Sequence, residues 1–478
     1  MKKLKHNTMV SIKKVVVALT FAMIGLATYA QQEVLQEEGE VVKLSLELCR
    51  QMALENNIEN NIAKQQVEIA DFKIAAYQSN YFPKVSAKGM YLYNDATLGR
   101  TITGSDIYNL IPDAMVGLIP EGSLAFVPDI PLELKLNETY NASVVVEQPI
   151  YTGGKIKTAH KMAEKGREMA EANVALSEIE VLVLSDEAYW NVVKVKALIE
   201  SAVQYKETLE ELHRMVQNAV DVGMTHRKDL LSVQVKLNEA ELNLARAKNG
   251  YKLAVMNLNH IIGLPLHNNT EVVDSFEEET SITLLPESMD ASDAFDVTSR
   301  PEFHLLTKQV EMKEREVDLA RSDFLPKVGI MGAYGYTNGL KFNGRSLIDD
   351  RSLSALLSVN IPIFNWDEGR NKVNEAKMER TIAQMKLEDT EQKMMLEATK
   401  AINELNEAQL EVQLTSKSVE QAEENMKLSK DRYEAGMETL ADYMESQAMW
   451  QNATSTHIAA KAALQLYKTK YLKATGQL

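Results

Sequence analysis

The pattern of apolar and polar positions predicts long helices over much of the chain. Residues 156–222 contain no proline, and apolar and polar residues are interspersed through all 67 of them. As one helix this run would be about 100 Å long, since each residue adds about 1.5 Å. Gly223 follows, and a second helical run then extends to Ile262. Because glycine lets a helix end and the backbone reverse at little steric cost, a helical hairpin with its tip at Gly223 is expected.

A second hairpin of the same design is predicted 213 residues later, with its tip at Gly436. Pro149 precedes Gly223 by 74 residues, and Pro362 precedes Gly436 by 74. The distance from Gly223 to Gly263 equals the distance from Gly436 to Gly476, which is 40 residues. Three further residues recur at this offset, namely Asp229 with Asp442, Gln234 with Gln447, and Ala240 with Ala453. An internal duplication is therefore the first expectation from the sequence.

In each copy the sequence pattern also predicts a helix and a β-hairpin that precede the helical hairpin. The helices are expected over residues 44–76 and 299–321. Alternation of apolar and polar residues predicts strands over residues 85–94, 140–147, 328–336 and 353–361. Tyr81-Phe82-Pro83-Lys84 matches Phe324-Leu325-Pro326-Lys327 at an offset of 243, whereas everything after the strands matches at 213. The first β-hairpin therefore carries a loop, residues 95–137, that is thirty residues longer.

The start of the chain differs from the rest in composition. Five lysines fall within residues 1–14, residues 15–27 are apolar, and Thr28-Tyr29-Ala30 offers small residues for cleavage. This is the pattern of a secretory signal peptide over residues 1–30. The expected organisation is then a first repeat over residues 31–265, a linker over 266–298 and a second repeat over 299–478.

Charge and cysteine content restrict the partners. Loss of residues 1–30 removes five lysines and no acids, so the net charge goes from −16 to −16 − 5 = −21, which makes nucleic acid a poor partner. The one cysteine, Cys49, has no internal partner and is expected to pack as a small apolar residue. No apolar run of about 18 residues follows the signal peptide, so no transmembrane helix is predicted.

Catalytic and metal-binding patterns are not found in the sequence. There is no H-E-x-x-H, phosphate-binding glycine loop, G-x-S-x-G elbow or dinucleotide-binding G-x-G-x-x-G. The eight histidines are scattered without the spacing of metal ligands. No enzyme, cofactor or metal site is therefore predicted.

The four predicted strands indicate an oligomer. Strands of about ten residues with period-two alternation and tyrosines near their ends are typical of membrane barrels. Such a barrel needs at least about eight strands, so the four strands of one chain must pair with strands of other copies. Either two or three copies would supply enough strands to close a barrel. On one long helix, Met395, Ala398, Ile402 and Leu405 form a narrow apolar seam, which predicts coiled-coil packing.

With these features in place, the chain from about residue 42 to 476 resembles the TolC-type outer membrane efflux proteins. The resemblance is carried by the duplicated hairpins, the two tips, and the dipeptides Gln148-Pro149, Ile361-Pro362 and Arg300-Pro301. It implies a homotrimer whose strands, four per chain, build a 12-stranded outer-membrane β-barrel. The long helices would continue it as a coiled-coil tunnel across the periplasm. The resemblance also implies contact with outer-membrane lipid, a periplasmic adaptor protein and an inner-membrane pump.

The resemblance places an entrance gate near the second tip. The family has a tyrosine and two acids there, and Tyr433, Asp442 and Glu445 match those positions. Asp442 and Glu445 are three residues apart and share a helix face, so in a trimer they would form a ring of carboxylates that attracts cations. The alternative is an ordinary solvated face on a helix rich in charge.

Glu438 departs from the family pattern, because well-studied members carry a basic residue there that locks the entrance. Lys228 or Arg227 of the first copy is the candidate replacement, pairing with Asp442 or Glu438. Asp229, the counterpart of Asp442, is assigned to the same gate.

The two tips are the expected contact with the adaptor, because turns at the far end of a hairpin are what a partner meets first. The residues assigned to this contact are Gly223, Met224, Thr225, Gly436, Met437 and Thr439. Plain turns without a partner are the alternative. The apolar loop within residues 108–131 is expected either to cover the barrel mouth or contact an outside partner, or to pack as a surface loop.

The leading functional hypothesis is a passive export duct for small toxic molecules, recruited by a proton-driven pump. Protein secretion and metal-cation efflux fit the same architecture, although no methionine or histidine cluster favours a metal cargo. A periplasmic coiled-coil scaffold without a pore is the rival from another class. It would be soluble without detergent, and it leaves the matching strand pairs unexplained.

Overall fold

The computed structural model describes residues 42–95, 97–111, 115, 127–135, 138–276, 295–343 and 345–478. Three regions that the sequence singled out lie outside these residues, wholly or in large part. They are the signal peptide, the apolar loop within residues 108–131 and the acidic part of the linker.

Helices dominate the described part of the chain, and the strands form one large and one small sheet. The helices are α1 (Leu46–Asn56), α2 (Ile58–Gln78), α3 (Gly104–Tyr108), α4 (Lys155–Asp221), α5 (Arg227–Ile261), α6 (Pro301–Ser322), α7 (Glu368–Glu434) and α8 (Leu440–Ala474). The strands are β1 (Val42–Leu44), β2 (Lys84–Tyr93), β3 (Thr97–Ile102), β4 (Ile130–Lys135), β5 (Glu138–Thr152), β6 (Thr270–Val272), β7 (Lys327–Phe342) and β8 (Arg345–Asn360). The prediction of a mixed, mostly helical fold is confirmed.

The two long helical hairpins have the same lengths. Helices α4 and α7 contain 67 residues each, and α5 and α8 contain 35 each. The turn that leads into each hairpin is also shared, because Gly153 and Gly154 have φ of +65° and +85°, and Trp366 and Asp367 have φ of +47° and +62°. A left-handed backbone costs a non-glycine residue about 1–2 kcal/mol, so the second copy keeps this turn against a local penalty.

The strands of the large sheet occupy four side-by-side positions, here called columns. β2 pairs with β5, β5 with β7, and β7 with β8, all antiparallel. β3 and β4 pair with each other and extend the first two columns, and β4 also reaches the end of β7. Residues 95–137 were expected to form a loop, but strand pairing continues into them because Leu98 and Ile102 pair with Leu134 and Ile130. In the large sheet, β2 with its continuation β3 forms one open edge, and β8 forms the other.

The first helical segment differs from the expected single helix over residues 44–76. A short strand, β1, precedes it and pairs in parallel with β6. The helix then breaks at Asn57, whose backbone is extended, with φ −61° and ψ 135°. The side-chain Nδ2 of Asn57 donates to the carbonyl of Ile261 at 2.9 Å, so a contact distant in sequence holds the break.

Two compact units make up the described chain. Among the described residues, unit 1 draws on those within 42–58, 180–276 and 402–471, and unit 2 on those within 59–179, 295–401 and 472–478. The large sheet belongs to unit 2. The largest apolar core lies in unit 1, where α1, β1 and β6 pack with α4 and α5. Cys49 is fully buried in this core as predicted, and burial raises the pKa of its thiol to about 12, with Asp274 and Asp186 adding to the effect.

The apolar seam on α7 is shifted from the predicted one. Met395 is 37% exposed, and Ile402 is only partly buried. The buried positions are Met394, Ala398, Ala401, Leu405 and Ala408, spaced alternately four and three residues apart. This is the spacing of a coiled-coil seam within the chain, and of the predicted seam residues Ala398 and Leu405 belong to it, while packing of the predicted seam against other copies stays a prediction.

Candidate functional site

One face of the large sheet of unit 2 is mainly apolar, and its charged members, Arg351 and Asp349, lie towards the end remote from the long helices. The side chains on this face follow rows of paired residues across β2, β5, β7 and β8. Three of these rows are Val85, Val146, Gly332 and Ala355; Ala87, Val144, Tyr334 and Leu353; and Gly89, Ala142, Tyr336 and Arg351. The large apolar members are exposed, Leu353 by 81% and Val85 by 68%. Because exposure of apolar area to water costs about 25 cal/mol per Å², this face is more stable against an apolar medium than against water.

The next row along this face begins with two tyrosines. The rings of Tyr91 and Tyr140 stack with their centroids 5.8 Å apart, towards the end of the sheet that is remote from the long helices. Tyrosines at the border of an apolar band are typical of strands that meet a membrane surface, because the ring is apolar and the hydroxyl is polar.

The opposite face of the same sheet is mostly polar. Its rows include Ser86, Val145, Ala333 and Ser354; Lys88, Ser143, Gly335 and Ser352; and Met90, Asn141, Thr337 and Asp350. Lys88 Nζ lies 3.2 Å from Glu147 Oε1, and Asn141 Nδ2 donates to Thr337 Oγ1 at 2.8 Å. The sheet can therefore separate an apolar medium on one side from water on the other.

The two hairpin tips in unit 1 have the same backbone geometry. In the first, the N–H groups of Gly223 and Met224 donate to the carbonyls of Val220 and Ala219 at 3.0 and 2.8 Å. The equivalent bonds at Gly436 and its neighbour have the same lengths. The two glycines have φ of +78° and +71°, which is the left-handed conformation that closes a helix in this motif.

Glu438 is held by its own hairpin. Ser429 Oγ donates to Glu438 Oε1 at 2.7 Å, and Arg432 Nε lies 3.6 Å from Glu438 Oε2. The Glu438 side chain is only 19% exposed. A carboxylate that replaces the basic residue of the family is thus bound back onto the end of α7.

Asp442 and Glu445 lie on an exposed part of α8, as their spacing predicts. Asp442 also has a local partner, because Thr439 Oγ1 donates to its Oδ2 at 2.6 Å while its own N–H donates to Thr439 Oγ1 at 3.3 Å. The bond from the Asp442 N–H to Thr439 Oγ1 is of the kind that caps a helix N-terminus, and the bond from the Thr439 hydroxyl fixes the Asp442 carboxylate beside it. Asp442 therefore stabilises the start of α8 and presents charge to solvent at the same time, and Glu445 is exposed on the next turn.

Tyr433 packs against Tyr443, a residue that sequence reasoning missed. Their rings stack with centroids 5.6 Å apart, and Tyr443 is only 2% exposed. The apolar cluster around Tyr443 contains Leu212, Val216 and Val233 of the first hairpin. Burial raises the pKa of Tyr433, and the nearby charge of Asp229 raises it further. The structure thus places the charge of Asp229 near Tyr433, beside the apolar cluster around Tyr443.

Lys228 and Arg227 are exposed at the start of α5. Within the described residues, neither forms an ion pair with Asp442 or Glu438. Asp229 accepts a hydrogen bond from Thr225 Oγ1 at 2.5 Å, in the way that Asp442 accepts one from Thr439. The pairing considered from the sequence is therefore not made in this chain.

The residues assigned to the adaptor contact are accessible at both tips. Met224 is 82% exposed and Met437 is 71% exposed. Gly223, Gly436 and Thr439 are exposed as well, and Thr225 is half-buried. Each tip therefore presents one long apolar side chain beside its glycine.

A buried charge network in unit 1 was also missed by sequence reasoning. Asp186 is fully buried, and Arg50 binds both its oxygens, with Nε at 2.8 Å and Nη2 at 2.6 Å. Thr469 Oγ1 donates to Asp186 Oδ2 at 2.6 Å. The network ties α1, α4 and α8 together, and loss of one partner from such a pair costs about 3–5 kcal/mol. Its signal in the sequence is an acid within the apolar stretch from Val181 to Val193.

The described residues contain no group of three or more histidine, cysteine or acidic side chains placed to hold a metal ion. Of the described helices, none is both long enough and apolar enough to cross a membrane.

Comparison with known proteins gives related sequences of modest identity. The alkaline protease secretion protein AprF of Pseudomonas aeruginosa is 22% identical over 269 residues, which cover 56% of this chain and 55% of AprF. Protein CyaE of Bordetella pertussis is 24% identical over 304 residues, 61% of each chain. The match thus spans little more than half the length of these two relatives.

A solved structure and a family model cover more of the chain. The Campylobacter jejuni CmeC outer membrane channel superimposes with a TM-score of 0.69 at 18% identity, over 90% of this chain and 85% of that one, which is a likeness of fold. Residues 49–264 and 298–477 match the family model described as outer membrane efflux protein. Because that match takes in both copies of the duplication and most of the chain, this protein belongs to the outer membrane efflux protein family.

Proposed function

We propose that this protein is the outer-membrane channel-tunnel of a tripartite export system. In this proposal three copies form a passive duct that carries small toxic molecules from an inner-membrane pump and a periplasmic adaptor to the exterior. The repeats over residues 31–265 and 299–478, joined by residues 266–298, are its duplicated halves. The duct performs no catalysis, and its work is the steric and electrostatic selection of what passes.

The two-faced sheet is the observation that carries the proposal. Its exposed apolar face suits lipid, and its opposite face, with Lys88, Asn141 and Glu147, suits water. A sheet in lipid must have no open edge, because unpaired backbone groups there cost several kcal/mol each. The open edges β2 and β8 are therefore expected to pair with each other between copies.

The number of copies follows from the columns of the sheet. Four columns per chain give eight strands in a dimer and twelve in a trimer, and both are even numbers that can close. We propose the trimer, which the family membership favours. The mass of the detergent-extracted oligomer, measured by native mass spectrometry, distinguishes three copies from two.

The acidic gate rests on Asp442 and Glu445. Both are exposed on α8, and the capping bonds from Thr439 hold Asp442 at a defined position. In a trimer six such carboxylates would gather near the tips and favour cations over anions. Glu438 takes no part in an ionic lock in this proposal, since Arg432 and Ser429 already bind it.

Single-channel conductance in a planar bilayer tests the duct and the gate together. We expect a small, cation-selective conductance, and we expect Asp442→Ala/Glu445→Ala to lose much of the selectivity. The matched control is Glu388→Ala/Glu391→Ala, which removes two exposed acids at the same spacing from α7. Unchanged selectivity in the Asp442→Ala/Glu445→Ala variant would refute the acidic gate but not the proposed duct. Protein that stays soluble without detergent and gives no conductance would refute the duct in favour of a coiled-coil scaffold.

Protein export is the second candidate, because AprF is described as an alkaline protease secretion protein. The same duct would then carry an unfolded polypeptide. Expression in a strain that lacks its own outer-membrane channel separates the two cargoes. Restored resistance to small toxic molecules supports the first candidate, and restored secretion of a reporter protease without that resistance supports the second.

A further inference from the structure

A basic groove lies in unit 2 where the long helix α4 leaves the sheet. It has a volume of about 300 Å³ and is walled by the first turns of α4 and the last turns of α6. Four of its lining residues are basic, Lys157, Lys161, Arg315 and Arg321, and one, Asp318, is acidic. Lys157 and Lys161 form no ion pair with any described residue, so the charge of this groove is poorly neutralised.

The two arginines share their single acid. Arg315 Nη1 lies 3.2 Å from Asp318 Oδ2, and Arg321 Nη1 lies 3.4 Å from Asp318 Oδ1. Each guanidinium has five N–H donors, so most of them remain available to another acceptor. A planar fork of this kind matches the oxygens of a phosphate group.

A second groove, which combines an apolar wall with the basic residues Arg370 and Lys377 in its lining, adjoins the basic one. It has a volume of about 830 Å³, and it shares Arg321 and Leu325 with the first groove. Its walls include Ile363 and Phe364, which are 93% and 69% exposed. The two grooves together, here called the amphipathic groove, therefore offer positive charge beside an apolar wall.

The position of the amphipathic groove is set by the ends of the strands. Lys157 follows the last residue of β5 by five residues, and Arg321 precedes the first residue of β7 by six. The headgroup layer of a bilayer adds about 5–7 Å on each side of the hydrocarbon core, which corresponds to about one turn or slightly more of a helix. If the apolar face of the sheet lies in the hydrocarbon core, the groove falls in or beside the headgroup layer.

We propose that the amphipathic groove binds an anionic phospholipid of the membrane in which the sheet sits. The phosphate group would lie among Lys157, Lys161, Arg315 and Arg321, and an acyl chain would lie along Leu325, Ile363 and Phe364. This inference rests on the proposed function, because it requires the sheet to be in a membrane. A neutral zwitterionic lipid brings no net charge to the groove and gains less from it.

Native mass spectrometry of the detergent-extracted oligomer tests the inference, with phosphatidylglycerol and phosphatidylcholine supplied in equal amounts. We expect wild type to retain phosphatidylglycerol preferentially. Lys157→Gln/Lys161→Gln is expected to weaken that binding by about 25-fold, since each lysine near a lipid surface contributes about fivefold. The matched control is Lys248→Gln/Lys252→Gln, which removes two exposed lysines at the same spacing from α5 and is expected to change nothing.

Several outcomes would overturn the inference. Equal retention of the two lipids by wild type would do so, as would equal losses in the test variant and its control. Displacement of the lipid by millimolar inorganic phosphate would identify a site for a free anion. A change in ion selectivity in the planar bilayer, without a change in lipid binding, would place these lysines beside the duct.

Flotation with liposomes separates this inference from the proposed function. If wild type does not float with liposomes, the proposed membrane duct fails and the lipid site fails with it. If wild type floats but shows no preference for phosphatidylglycerol, only the lipid site is refuted.

Discussion

The first helical hairpin, α4 with α5, and the second, α7 with α8, have the same backbone and different side-chain chemistry. Their helices agree in length to the residue, and their tip glycines make equivalent hydrogen bonds. The first tip carries His226, Arg227 and Lys228, whereas the second has Thr439, Leu440 and Ala441 at the equivalent positions, preceded by Glu438. The two copies therefore share helix length and turn geometry, while the charge at their tips has diverged.

The packing at the tips shows the same divergence. Tyr443 of α8 is fully enclosed in the apolar cluster, and its counterpart 213 residues earlier, Leu230 of α5, is only half-buried beside it. The second hairpin thus supplies the centre of a cluster to which both hairpins contribute. Equivalent positions in the two copies are therefore expected to respond differently to the same substitution.

The largest expected effect is the loss of Tyr443. Tyr443→Ala should lower the free energy of local opening at the tips by about 3–5 kcal/mol, because it removes a buried aromatic ring and leaves a cavity. Leu230→Ala should cost about 1–2 kcal/mol, since less apolar area is buried there. Native-state hydrogen exchange of the tip amides measures both values. Tyr443→Phe, which keeps the ring, is the control, and equal costs at the two positions would contradict the proposed asymmetry.

The tip glycines are expected to be equivalent. Gly223→Ala and Gly436→Ala should each reduce protection of the tip amides by about 1–2 kcal/mol, because both glycines have positive φ. A β-carbon at either position would meet no atom within 4 Å, so the penalty comes from the backbone alone. Gly250→Ala, within α5, is the control and should instead stabilise its helix by about 0.5–1 kcal/mol. Unequal penalties at the two tips would show that the turns differ more than their geometry indicates.

The smallest expected effect concerns pH. His457 of α8 is half-buried, and its Nδ1 lies 3.0 Å from Thr415 Oγ1, whereas its counterpart in α5 is Leu244. Burial lowers the pKa of His457, and the charge of Lys461 lowers it further. The unfolded chain therefore takes up the proton first, so the stability contributed at this site is complete above about pH 6.5 and declines as the pH falls below it.

Hydrogen exchange on either side of about pH 6.5, corrected for intrinsic rates, should show a loss of protection around His457 and none around Leu244. His457→Leu makes the two hairpins alike and should abolish the difference. A loss of protection that persists in this variant would assign the pH dependence to another group.

The repeating design of this protein can be predicted from the amino-acid sequence alone. The tip glycines, the proline-free runs and the matching offsets predict both helical hairpins nearly to the residue. They succeed because the helix period and the positive φ of a turn are properties of a few neighbouring residues. The alternation along β2, β5, β7 and β8 likewise predicts which residues share a face, because side chains of a strand alternate whatever it pairs with.

Only the tertiary structure decided the contacts between distant residues. The break at Asn57, the pairing of β3 with β4, and the hold of Ser429 and Arg432 on Glu438 have no signal at fixed spacing. The position of the α7 seam also depends on how neighbouring helices pack. A shift of one residue places Met394 in the seam and leaves Met395 outside it. The buried pair of Arg50 and Asp186 joins residues 136 positions apart, so its stability arises only when α1 and α4 meet. Local periodicity specifies the helices and strands. How these helices and strands pack together is specified by the burial and pairing of side chains from different elements.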